Sequence, residues 1–208
     1  CVYSGANTAL TRKDVEAAEQ IIAEADVCLI NGKLPQETVT GAVRCAEIQG
    51  TRTILDPAGP VDHGRTAEGL PIEYFNADIM IPNLYEAAQI AEHSAANYRA
   101  AKMIGSDIVA RGTKTALITM GKRGCMVINR DHTEHIPAFE VELVDQTGTG
   151  DAFAGALAAC YATTADIKEA VLFASAAGAL ACKKFGAIES LPTRSEIIEL
   201  LQAEDQTF

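Results

Sequence analysis

Val141-Glu142-Leu143-Val144-Asp145-Gln146-Thr147-Gly148-Thr149-Gly150-Asp151-Ala152-Phe153, continuing to Tyr161, is the stretch whose reading decides the fold. The apolar, β-branched residues from Val141 to Val144 predict a strand. Gly148-Thr149-Gly150 predicts a tight turn, and the small and apolar residues from Ala152 onward a helix. A helix that starts in glycines presents unpaired backbone N–H groups and the positive end of its dipole, and residues without side chains let an anion come close. The expected ligand is a phosphate. Asp151 falls in the first turn, where the dipole favours negative charge, and its carboxylate can accept a proton. A base beside an anion cradle suits phosphoryl transfer to a hydroxyl: the carboxylate takes the alcohol proton while N–H groups stabilise charge on the moving phosphoryl group. A plain capped helix after a glycine turn has the same spacing, and spacing alone leaves the two readings even.

Composition agrees with a globular enzyme domain. The chain has 208 residues, 48% hydrophobic and 22% charged, enough for one domain with a sizeable core. No apolar run reaches the length of a membrane span and the first residues lack a signal-peptide pattern, so the expected location is the cytoplasm, with no membrane partner. A net charge of −11 repels a nucleic-acid backbone, while a nucleotide can still bind a locally positive pocket. The six cysteines, Cys1, Cys28, Cys45, Cys125, Cys160 and Cys182, have no C-x-x-C spacing and read as reduced core thiols. His132 and His135 lie three apart in an expected hairpin without ligand-spaced partners, which argues against zinc; His63 and His93 give no sharper signal.

Along the chain, strands and helices alternate. After a short start with a glycine turn at Gly5-Ala6-Asn7, Thr11 reads as an N-cap with Asp14 three residues on, opening an amphipathic helix through Ala25. Asp26 to Ile30 is a buried strand that ends in Asn31-Gly32-Lys33-Leu34, and strand ends of this kind are where open α/β sheets take ligands. Pro35 opens a helix that closes at Gly50. Further strands are expected at Thr51 to Leu55, Ala77 to Ile81, Lys114 to Thr119 and Cys125 to Asn129, with two more between Thr133 and Val144. A Pro- and Gly-rich loop covers Pro57 to Pro71, and helices are expected at Leu84 to Glu92 and from Asn97 to Arg111, the second weakened at Gly105. Helices from Gly150 to Ala162, Asp166 to Lys184 and Thr193 to Ala203 complete the pattern. The rhythm implies an α/β fold: a mostly parallel sheet with helices on both faces and an antiparallel edge near Gly121 to Val144, all in one domain.

Asp145-Gln146-Thr147-Gly148-Thr149-Gly150-Asp151-Ala152-Phe153 resembles the second signature of the ribokinase/PfkB family of carbohydrate and nucleoside kinases, D-T-x-G-A-G-D-x-F. Gln146 and Thr149 replace the usual Thr and Ala. The resemblance implies that Asp151 is the catalytic base and that Gly148, Thr149 and Gly150 form the anion hole of an ATP-dependent sugar kinase. Pro82-Asn83-Leu84-Tyr85-Glu86 resembles the family's N-x-x-E segment, in which the carboxylate organises magnesium and its waters; by itself Asn83 with Glu86 reads equally as a helix capping box. Thr119, Gly121, Lys122 and Gly124 match the segment that lies along the nucleotide, although alone they form a hairpin with a basic tip. The small residues around Ser175 match the adenine wall, or plain helix packing. Asp145 and Thr147, with Ala181, Lys184, Gly186 and Ser190, lie where related kinases hold a monovalent cation such as potassium, mostly through carbonyl oxygens.

The resemblance covers nearly the whole chain but only the later two-thirds of a family member. The stretch that supplies the first sheet strands, a small β lid and a sugar-gripping Gly-Gly segment is not matched, which implies a fragment or a shortened chain. An exposed apolar sheet edge, and hence self-association, is then expected. On the substrate side, Asn7 reads as a sugar contact or a turn residue. Lys33 stands where similar ribokinases carry an acid. An ammonium donates hydrogen bonds and cannot accept them, so Lys33 argues against plain ribose and for an acidic or phosphorylated substrate, or else faces solvent. Two readings follow: a kinase for a sugar or sugar-like alcohol, and a non-catalytic nucleotide-binding module.

Overall fold

The computed structural model describes residues 5–57, 70–91 and 97–205, so the expected loop from Pro57 to Pro71 lies almost wholly outside the described residues, as do Cys1, His63 and His93. The chain divides into two compact units, one of residues 1–120 and 126–134, the other of residues 121–125 and 135–208.

The first unit opens on a short 3-10 turn, Gly5–Ala9, followed by α1 (Arg12–Ala17) and α2 (Glu19–Glu24). Thr11 caps as expected: its amide and its hydroxyl both donate to Asp14 Oδ2 at 2.7 Å. The single helix expected through Ala25 is broken at Ala18. Val15 is the one buried residue of α1, and α2 offers the same core only the half-buried Ile22, so a weak apolar face holds the second segment. Next come β1 (Val27–Asn31), α3 (Gln36–Gln49), β2 (Arg52–Asp56), β3 (Ile79–Met80), α4 (Leu84–Ile90), α5 (Tyr98–Ala110), β4 (Thr115–Thr119), β5 (Cys125–Asn129) and β6 (Thr133–Ile136). Pro35 stands just before α3, and Gly50 closes it in the left-handed region at φ 74°.

The six strands form one sheet in the order β1-β2-β3-β4-β5-β6. β1 to β4 are parallel, with Ile30 opposite Leu55, Leu55 opposite Met80, and Met80 opposite Ala116. Leu55, Met80, Ala116 and Ile118 pack with Tyr74, Phe75, Ile104 and Ile108 in one core. The alternate residues Ile54, Ile79 and Leu117 are also no more than 2% exposed. Both faces of the central strands are therefore buried, which is why they read as unbroken apolar runs. Asp78 ties the strand starts: its Oδ2 accepts from the Thr53 amide at 2.7 Å and its Oδ1 meets Lys114 Nζ at 2.5 Å. β5 and β6 are joined through Arg130 to His132, with the Asn129 amide donating to His132 O at 3.0 Å, a connection short enough only for an antiparallel hairpin.

The expected strand at Ala77 to Ile81 shrinks to the two residues that pair on both sides, Ile79 and Met80. Of the two strands expected between Thr133 and Val144 only β6 forms, and Val141 to Val144 is not a strand. Leu143 and Val144 are 56% and 57% exposed, and the Val144 amide donates to Cys182 O at 2.8 Å. A β-branched run with neither a ladder partner nor a buried face has nothing to hold it extended in a sheet.

The second unit is built on α6 (Thr149–Thr164), α7 (Ile167–Ala181) and α8 (Arg194–Asp205). Asp166 caps α7, its Oδ1 accepting from the Lys168 and Glu169 amides at 2.8 and 3.1 Å. Thr193 precedes α8, and its amide and hydroxyl hold the Glu196 carboxyl down to about 2. Ala176, Ala177 and Ile197 form a small core with Phe139, Ala156, Phe173 and Leu201 beside it. The five described cysteines are free thiols: Cys125 is buried, Cys28 and Cys45 pack half-buried against the first unit's core, and Cys160 and Cys182 are half-buried. None of the described helices is long and apolar enough to cross a membrane.

Gly105 sits in the middle of α5, where alanine ordinarily helps a helix. A Cβ there would lie 2.5 Å from Ile128 Cδ1, so the missing side chain is what lets α5 approach β5. Gly105→Val is expected to cost about 1–3 kcal/mol through overpacking, read as a lower urea midpoint at unchanged slope.

Candidate active site

In the first unit, polar side chains gather where β1 and β2 end. Asn31 and Asp56 are opposite in register, Asn31 Nδ2 is 3.4 Å from Asp56 Oδ2, and the Gly32 amide donates to Asp56 O at 2.7 Å. Asn31 Oδ1 accepts from the Lys33 amide at 2.9 Å, and Lys33 is exposed. Asn83 precedes α4 and forms a parallel bridge with Thr119, whose amide donates to Pro82 O at 3.1 Å. Asn83 Oδ1 accepts from the Glu86 amide at 3.0 Å and Glu86 Oε2 from the Asn83 amide at 2.9 Å, a reciprocal capping box. Burial pushes the Glu86 carboxyl up, the Asn83 amide pulls it down, and the charges of Asp56 and Lys33 act on it in opposite senses. Asn83, Glu86, Thr119 and Lys33 thus belong to one unit, with Asp56 as an addition that the strand-end rule could have found in the sequence.

In the second unit, Gly148 adopts φ 79° before α6, and a Cβ on it would lie 3.2 Å from Ala187 O. Glycine is required there for both reasons. The Thr149 amide donates to Gln146 O at 3.2 Å and the Ala152 amide to Gly148 O at 2.8 Å. The amides of Gly148, Gly150 and Asp151 have no hydrogen-bond partner among the described residues. Gly150 and Asp151 are exposed. Asp151 also lines a groove of about 1030 Å³ together with Phe139, Ala156, Phe173, Leu191 and Ile198.

Two loops meet behind this helix start. Asp145 Oδ1 accepts from the Thr147 amide at 3.0 Å and from its hydroxyl at 2.8 Å, while Oδ2 accepts from the Gly186 amide at 3.1 Å. These donors hold the Asp145 carboxyl below the usual aspartate range. Ser190, fully buried, donates to Ala187 O at 2.8 Å. The Lys184 amide is 3.4 Å from Ala181 O, and its Nζ is 3.3 Å from Glu196 Oε1. Ser175 is half-buried on α7. Gly121 and Lys122 lie in a 3-10 turn, Gly121–Arg123, and Gly124 follows with φ 85°. His135 Nε2 meets Arg123 O at 2.6 Å and His132 Nε2 meets Glu134 at 3.4 Å. Asn7 is exposed in the opening turn.

Free amides and a carboxylate in one helix turn are the elements of a phosphate-handling site. The chain belongs to the pfkB family of carbohydrate kinases, whose sequence model matches residues 1–194. A ribokinase of Staphylococcus aureus is 32% identical over 198 residues, 94% of this chain and 63% of that protein. Among solved structures, a ribokinase from Thermotoga maritima aligns with a TM-score of 0.82 at 28% identity, over 97% of this chain and 64% of its own. The Arabidopsis thaliana ribokinase complexed with ribose and ATP gives a TM-score of 0.84 at 23% identity over the same shares. The fold is ribokinase-like, and the chain spans less than two thirds of these relatives' length.

The Asp145 anchor has a definite pH dependence. Its folded value lies below the unfolded one, so its contribution is present above the ordinary aspartate range and is lost as pH falls through the folded value. Exchange at the Gly186 amide, corrected for intrinsic rate, is expected to accelerate on acidification below roughly pH 4. Asp145→Ala should show the acceleration, about tenfold, already at neutral pH.

Proposed function

We propose that this chain works as an ATP-dependent phosphotransferase that phosphorylates a hydroxyl of a sugar or sugar-like alcohol in the cytoplasm, its 208 residues acting as one ribokinase-like domain. The observation that carries the reading is the start of α6, where unpartnered amides at Gly148, Gly150 and Asp151 accompany an exposed carboxylate. Asp151 takes the proton of the acceptor alcohol. The alcohol oxygen then bonds to the γ-phosphorus of ATP as the bond from that phosphorus to the β–γ bridging oxygen breaks, and ADP leaves. The anion hole at Gly148 to Gly150 stabilises the charge on the transferring oxygens through the open amides of Gly148 and Gly150 and the helix dipole, the Thr149 amide being held by Gln146 O.

Thr119, Gly121, Lys122 and Gly124 lie along the nucleotide and Ser175 against its base. Magnesium would neutralise phosphate charge, and Glu86 would hold it through water, with Asn83 beside it on the nucleotide side. The capping box already uses Glu86 Oε2, which suits a hard cation held largely through its own waters by one carboxylate. A potassium-like cation suits the loops at Asp145, Thr147, Ala181, Lys184, Gly186 and Ser190. There the Asp145 side chain is taken up by backbone and hydroxyl donors, so carbonyl oxygens are the remaining ligands. Lys33 and Asn7 face the acceptor, and Lys33 favours one bearing an anion. β1 ends the sheet with Leu29 43% exposed, which supports self-association.

Asp151→Asn is expected to lower ADP release with the accepted sugar by about 10²–10⁴ while magnesium-ATP binding, measured by calorimetry, is kept. A wild-type chain that binds magnesium-ATP but turns over no member of a sugar panel would instead be a non-catalytic nucleotide-binding module. Absence of nucleotide binding would remove both readings.

Because burial raises the Glu86 carboxyl, magnesium dependence carries a second signature. The half-saturating magnesium concentration should rise as pH falls through the raised value, where the carboxyl becomes neutral, and Glu86→Gln should weaken magnesium at every pH and flatten that profile.

A further inference from the structure

Thr149 and Cys182 meet at 3.3 Å between Oγ1 and Sγ, and each is tied to the phosphate turn in a second way. The Thr149 methyl packs on α7: a Cβ built on Gly178 would lie 3.5 Å from Thr149 Cγ2. Cys182, the residue that ends α7, offers its carbonyl to the Val144 amide at 2.8 Å and the Asp145 amide at 3.2 Å. One residue therefore grips the segment from Val144 to Thr149 at both ends, by its carbonyl at the entry and by its thiol at the exit. The Thr149 hydroxyl is engaged by the thiol, and its own amide donates to Gln146.

We propose that Thr149 and Cys182 form a positioning pair that sets the direction of the Gly150 and Asp151 amides. In this role the Thr149 and Cys182 side chains act on the backbone and not on the transferring phosphoryl group: they hold the first turn of α6 against the end of α7. The inference rests on the phosphate-site reading of that turn and adds the device that keeps it rigid. A mobile nest must be ordered each time an anion binds, and fixing it beforehand removes that cost.

The test is a double-mutant cycle with Thr149→Val, which keeps the shape and removes the hydroxyl, and Cys182→Ala, with Thr149→Ser as the conservative rescue. Two readouts are taken on the full chain: amide exchange across residues 148–152 without ligand, and the dissociation constant for magnesium-ATP. Each single variant is expected to accelerate exchange and to weaken magnesium-ATP by about threefold to tenfold. The double variant should be no worse than either single, and Thr149→Ser should restore both readouts. Additive effects, unchanged exchange in Thr149→Val, or failure of the serine rescue would overturn the pair. If the wild-type chain binds no magnesium-ATP, the phosphate-site reading fails, and the exchange cycle still decides whether the two residues are coupled. Matching thermal midpoints among the variants separate positioning from general loss of fold.

Discussion

The Asp145 carboxylate is the constraint on which the second unit's site depends. It collects the Thr147 amide and hydroxyl on one oxygen and the Gly186 amide on the other. It thereby fixes the loop that enters α6 to the loop that leaves α7. Gly148 can then take its left-handed conformation beneath Ala187, and the amides of Gly148, Gly150 and Asp151 emerge without partners among the described residues. Orphan donors at a helix start normally go to a side-chain cap or to water. Here no side chain caps Gly148, so the turn keeps its hydrogen-bonding capacity for a ligand.

The first unit follows the same economy with different parts. Parallel strands buried on both faces carry their polar residues to their carboxyl ends, because the interior has no room for them. Asn31, Asp56 and Asn83 with its partner Glu86 stand there, and burial lifts the Glu86 carboxyl on a helix, α4, whose Leu84, Ala87, Ala88 and Ile90 are all buried.

Much of this was legible in the sequence wherever the signal is local. Gly148-Thr149-Gly150-Asp151 announces a helix start with open amides, Asn83 with Glu86 announces a cap, and the run at Thr115–Thr119 announces a buried strand; the run at Val27–Asn31 is a strand as expected but not a buried one, since Ile30 alone is buried and Leu29 is exposed at the sheet's edge. Failures came where a distant partner decides. Val141 to Val144 has strand composition, yet the Val144 amide is taken by Cys182, far along the chain. The helix expected through Ala25 divides at Ala18, with Val15 of α1 buried in the core and Ile22 of α2 only half-buried against it. Nothing near Thr149 indicates that its hydroxyl will meet a thiol 33 residues later. Asp56 was available from the strand-end rule but is masked in the sequence by the Pro- and Gly-rich residues that follow it.

The capping box at Asn83 and Glu86 has an evolutionary consequence on the magnesium reading. One carboxylate anchors a helix and also orders a metal's water shell, so a chain that drifted out of catalysis could not discard the acid without loosening α4. Descendants that have lost turnover would therefore retain it, and its survival in such a lineage would testify to architecture rather than to chemistry.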